Sequence, residues 1–75
     1  MENIVAYRIR NARKLKGLSL QDIADELGVS KQMISKYEKG ISIPNSSNLI
    51  MLAKLFDLKI DYFFNSFRIE LECLN

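Results

Sequence analysis

Apolar residues recur at helical spacing in four stretches of the chain, and then at alternate positions near its end. Between Asn3 and Lys16, Val5, Ile9, Ala12 and Leu15 share one face while Arg10 and Lys14 point away. This predicts a first helix, which Gly17 ends. Ile23 and Leu27 mark the inner side of a second helix, and Met33, Ile34 and Tyr37 that of a third. A fourth follows Pro44, with Asn45 or Ser46 as its cap, a stripe of Leu49, Leu52, Ala53 and Phe56, and Asp57 as the break. A short fifth segment, Ile60 to Phe64, closes the bottom of the bundle.

The middle of this pattern is the most specific part. Ser19 and Ser30 stand where N-caps belong, because a serine oxygen accepts from an orphan amide of the first turn. Gly28 and Gly40 stand where each helix must stop in left-handed backbone. Ala24, one turn before Gly28, is small enough to let the next helix cross closely. Only about four residues remain for the turn between the helices, which forces a sharp crossing. Residues 19–40 therefore read as a helix-turn-helix.

The tail follows another rule. Phe67, Ile69, Leu71 and Cys73 alternate with Arg68, Glu70 and Glu72, the period of a half-buried strand, while Phe67, Leu71 and Leu74 also fit a helix face. A lone strand cannot satisfy its own backbone, so it calls for the same strand of a second subunit or for a following domain; a frayed tail is the remaining reading. The expected organisation is one domain over 1–64 and an extension over 65–75. The expected fold is all-α, a compact five-helix arrangement with a C-terminal β-strand as candidate dimerisation element.

Composition narrows the function. Seventy-five residues, 48% of them hydrophobic, suffice for one small core. The single cysteine, Cys73, excludes an internal disulfide, and the absence of histidine removes Ser/His and Cys/His catalysis together with the commonest zinc ligand. No metal, cofactor or enzymatic activity is expected. No run approaches the ~20 apolar residues of a membrane helix and no secretory leader is visible, so a cytoplasmic protein without a membrane partner is expected. Net charge is only +2, yet residues 1–40 carry eight Lys/Arg against five acids and residues 41–75 carry three against four. The basic half coincides with the helix-turn-helix, where phosphate attraction would concentrate. Asp22, Asp25 and Glu26 fall on adjacent turns of a surface helix and read as dipole complement and solvation, not as a catalytic pair.

Over residues 4–64, about four-fifths of the chain, the sequence resembles the DNA-binding domain of phage Cro and cI repressors and their bacterial relatives. The residues that carry the likeness are Ile9-Arg-x-x-Arg13, Gly17-Leu-Ser, Ile23-Ala24, Leu27-Gly28-Val-Ser30, Ile34-Ser-Lys-Tyr-Glu38-x-Gly40, Pro44, Leu52-Ala53 and Asp61-Tyr-Phe-Phe.

The resemblance implies that the helix from Ser30 to Lys39 enters the major groove, with Ser30, Lys31, Gln32, Ser35 and Lys36 at base-contacting positions. Their chemistry suits the role: glutamine pairs with adenine, lysine reaches guanine acceptors, and serine donates or accepts. Phosphate contacts are expected from Arg13 and Lys39, and from the helix starts at Leu20-Gln21 and Ser46-Ser47-Asn48. The resemblance also pairs Arg13 with Glu38 across the first and third helices, and that ion pair is the preferred role for Arg13. Tyr37 reads as core in preference to a base-stacking group.

Two departures from the family pattern matter. Leu20 stands where many relatives place a phosphate-binding glutamine, with Gln21 displaced by one. Ile41-Ser-Ile-Pro44 replaces a basic loop, leaving Lys39 as the last cation. Both predict a modest salt dependence and low monomer affinity, which a homodimer on double-stranded DNA would offset, with Phe64, Phe67, Ile69 and Leu71 as candidate contacts. The expected function is a sequence-specific transcriptional regulator, a bacterial or phage repressor on an inverted repeat. The alternatives are a protein-interaction module such as an antitoxin or anti-repressor partner, or the N-terminal part of a larger regulator.

Overall fold

Ser19, Ser30 and Asn45 begin three helices by the same device. Each has extended backbone, and its side-chain oxygen accepts from the amide three residues on: Asp22 at 3.0 Å, Met33 at 3.1 Å and Asn48 at 2.8 Å. A computed structural model of the chain describes residues 4–64. It contains α1 (Ile4–Leu15), α2 (Leu20–Leu27), α3 (Lys31–Lys39) and α4 (Ser46–Phe56), followed by a 3-10 turn (Ile60–Phe63).

The stops are equally local. Gly28 has φ +70°, and a Cβ built there meets nothing within 4 Å, so its conformation and not crowding calls for glycine. Asp57 ends α4 in the same left-handed region, at φ 58°.

α3 packs on both α1 and α2, and α4 packs on α2, α1 and the 3-10 turn. Phe56, Phe63, Ile9, Ile23, Ile34 and Leu52 are the largest fully buried side chains, each contributing roughly 1.5–3 kcal/mol relative to exposure. Ala24 is fully buried, in one core cluster with Ile34 and Tyr37 of α3. The 3-10 turn anchors the far end through rings: Phe63 lies 6.5 Å from Phe56 and meets Tyr62 edge-on at 5.7 Å.

Three expectations need correction. Among the described residues there are four α-helices, not five: Asp57 turns the chain and Leu58–Lys59 lie outside any helix. The last segment is then a four-residue 3-10 helix without a side-chain cap. No strand occurs among the described residues, so the helix-plus-strand architecture is not found; the stretch 65–75 expected to form the strand lies outside them. Leu15, expected inward, is 81% exposed because it is the final residue of α1, beyond the reach of the core. Arg8 is instead buried at 5% exposure, its guanidinium 4.1 Å from the centre of the Tyr62 ring. The ring's negative face makes that burial tolerable, so this arginine ties α1 to the 3-10 turn and is not part of an exposed basic face.

Among the described residues, no helix is long and apolar enough to cross a membrane.

Candidate nucleic-acid interface

α3 is fixed from its inner side at three independent points. Ile34 and Tyr37 enter the core, with Met33 packed against it. The Tyr37 hydroxyl accepts from the Asn48 side-chain amide at 3.1 Å, which ties α3 to the start of α4. Glu38 takes two hydrogen bonds from Arg13 of α1, from Nε at 2.6 Å and from Nη2 at 3.1 Å. A third Arg13 nitrogen donates to the Leu18 carbonyl at 3.1 Å. The side chains of this pair are only 16% and 8% exposed, and hydrogen bonding to Glu38 raises the Arg13 pKa further above its already high value. The expected ion pair is therefore present, and it ties α1 to α3.

The outer side of α3 is chemically unlike the inner one. Lys31, Gln32, Lys36 and Lys39 are exposed and Ser35 is half-buried, at spacings of one, four, five and eight residues that keep them on one face. Glu38 is the only acid of α3, and it is turned inward to Arg13. The structure thus brings four of the five expected base-reading side chains, and Lys39, onto one rigid and cationic face. Ser30 starts that face, with its hydroxyl committed as a cap.

The expected phosphate contacts divide. At α2, the Ser19 hydroxyl caps Asp22 while the Asp22 carboxylate accepts from the Ser19 amide at 2.9 Å. Those bonds hold the Asp22 carboxyl below the usual carboxylate range. Leu20 packs its side chain on the core, and Gln21 spends one side-chain N–H on Asp25 at 2.8 Å, so this end offers backbone amides and the second N–H of the exposed Gln21 amide, beside the Asp22 charge. At α4, Asn48 spends its backbone amide on the Asn45 cap and its side chain on Tyr37, whereas Ser46 and Ser47 are exposed at the helix start. Sequence reasoning missed the internal role of the Asn48 side chain, whose partner lies eleven residues earlier in α3. It also missed Arg10, which lines a surface cleft together with Arg13, Ser35, Glu38 and Lys39.

Residues 9–63 match the family model described as helix-turn-helix. The chain belongs to that family. Its helix-turn-helix domain is 36% identical over 64 residues to an uncharacterized HTH-type transcriptional regulator of Rickettsia prowazekii, a match spanning 85% of this chain and 49% of that protein. The chain thus spans about half the length of the curated relatives it matches. Among solved structures, the helix-turn-helix fold is similar to the P22 c2 repressor in complex with a synthetic operator. That likeness has a TM-score of 0.74 and 32% identity, over 79% of this chain and 89% of that one. It is similar also to SinR, a master regulator for biofilm formation, in complex with DNA, with a TM-score of 0.74 and 27% identity over 81% and 98%.

Proposed function

We propose that this chain is the DNA-reading domain of a transcription regulator, a repressor that binds an inverted-repeat operator as a homodimer. The observation that carries the proposal is the outer face of α3. A helix locked to the core by Ile34, Tyr37 and Glu38 presents Lys31, Gln32, Ser35 and Lys36 to solvent with no acid among them. Nine residues at 1.5 Å make a rod of about 13 Å, matched to a major groove about 12 Å wide. In this reading Ser30, Lys31, Gln32, Ser35 and Lys36 meet base edges, while Lys39 and the amides of Ser46 and Ser47 meet phosphates. Arg13 serves as the brace behind them. The likeness to the P22 c2 repressor and to the regulator SinR, both solved with DNA, supports the reading.

Few cations line the surface, and a single domain binds weakly for that reason. Pairing two domains on half-sites about 34 Å apart doubles the contacts. The exposed apolar residues Leu58, Ile60 and Phe64, within seven residues of chain, supply a surface for that pairing. Phe67, Ile69 and Leu71, which the sequence assigns to the same surface, lie outside the described residues. Such a regulator acts in the cytoplasm of a bacterium, encoded by the cell or by a phage.

The test is substitution on α3. Lys31→Ala with Lys36→Ala abolishes DNA binding and leaves the melting temperature within a few degrees of the parent, because both side chains are exposed. DNA binding retained by that folded double variant contradicts the proposal and favours a surface that binds protein.

A further inference from the structure

A cleft of about 230 Å³ opens between α1 and the C-terminal half of α3, lined by Arg10, Arg13, Ser35, Glu38 and Lys39. We propose that it seats a phosphodiester of the DNA backbone, held by Arg10 and Lys39, at the edge of the groove that α3 enters. The inference rests on the DNA-reading function above and adds a residue, Arg10 of α1, to the binding surface.

Charge is the first argument. Three cations and one carboxylate line the cleft, and both oxygens of that carboxylate are taken by Arg13. The Arg13–Glu38 pair is therefore a neutral floor. Arg10 and Lys39 are exposed, and no hydrogen bond or ion pair engages either of them among the described residues. Two uncompensated cations face a space several times the ~30 Å³ share of a water molecule, wide enough for a tetrahedral anion.

Position is the second argument. Ser35 and Lys39 belong to both the cleft and the outward face of α3, so a duplex that receives α3 brings its backbone to the cleft mouth. The helix is about as long as the groove is wide, which puts its end at the phosphate wall while Lys31 and Gln32 lie over the bases. Arginine is the apt residue there, since its planar fork can engage two phosphate oxygens at once.

The experiment compares the full chain with Arg10→Gln, Arg10→Lys and Lys39→Gln. Each is titrated at several salt concentrations against a selected operator duplex and against a scrambled one. Loss of one phosphate contact lowers the slope of log K against log salt by about 0.9, or about eightfold in affinity for each tenfold change in salt. Arg10→Gln and Lys39→Gln are expected to show this decrement equally on both duplexes, with unchanged melting temperatures, and Arg10→Lys to retain most of the slope. An unchanged slope in Arg10→Gln overturns the inference, as does a loss confined to the operator. Inorganic phosphate at fixed ionic strength separates the two sources of phosphate: saturable micromolar binding to Arg10 with unaltered DNA slopes overturns it too. If the parent chain binds no DNA at low salt, both readings fall; if only the Arg10 and Lys39 variants behave like the parent while the Lys31/Lys36 variant does not bind, this one alone falls.

Discussion

Removing the Glu38 carboxylate tests whether the brace behind α3 is structural. Glu38→Ala deletes two charge-assisted hydrogen bonds, at 2.6 and 3.1 Å, and leaves Arg13 with only the Leu18 carbonyl. A fully exposed pair would be worth at most about 1 kcal/mol, and breaking a fully buried one would cost about 3–5 kcal/mol. With Arg13 16% exposed and Glu38 8% exposed, the pair lies nearer the buried limit, but the orphaned guanidinium can still turn toward water. The expected cost is about 2–3 kcal/mol, a large share of what holds a domain of this size together. In melting temperature that is a fall on the order of 10–20 °C. Arg13→Ala loses the Leu18 contact as well and should cost at least as much. Urea unfolding of both single variants and the double variant gives the coupling energy directly, expected near 2 kcal/mol with an unchanged m-value. A coupling energy below about 0.5 kcal/mol would refute the reasoning, because the pair would then be an ornament of the surface.

Two further outcomes follow from the packing and the caps. Phe56→Ala empties a fully buried site against Phe63, costs about 3–5 kcal/mol and leaves the domain largely unfolded at 37 °C by circular dichroism. The Asp22 carboxyl is depressed by its bonds to Ser19, so its stabilising effect is complete above the ordinary carboxylate value of 3.8 and is lost as pH falls through its lower folded value. Asp22→Asn should therefore show a shallower loss of stability in that acid range than the parent does, and identical acid profiles would contradict the capping assignment.

Much of this architecture was legible because the decisive signals are local. Ser19, Ser30 and Asn45 cap by bonds that span three residues, and Gly28, Gly40 and Asp57 end helices through their own backbone angles. Burial periodicity similarly marks Ile9, Ile23, Ile34, Leu52 and Phe56. What stayed hidden depends on partners distant in sequence or on boundaries. Arg8 reads as one more surface cation until the ring of Tyr62, 54 positions later, is seen beneath it. Leu15 keeps the helical period but belongs to the last turn, where the period no longer points at anything. The last segment has helical residues but too short a run to leave the 3-10 geometry.

The outer face of α3 was legible in composition, and its rigidity was not. Tyr37 bonding to Asn48 is a tertiary fact that no local pattern encodes, and the same holds for the cleft that joins Arg10 to Ser35 and Lys39.

The most direct test of the account is selection of genomic fragments by the purified chain, followed by footprinting of the enriched site. The account predicts two protected half-sites related by a two-fold axis, centred 10–10.5 base pairs or a multiple apart, with binding that weakens as salt rises. Folded protein that enriches no sequence at low salt would contradict it.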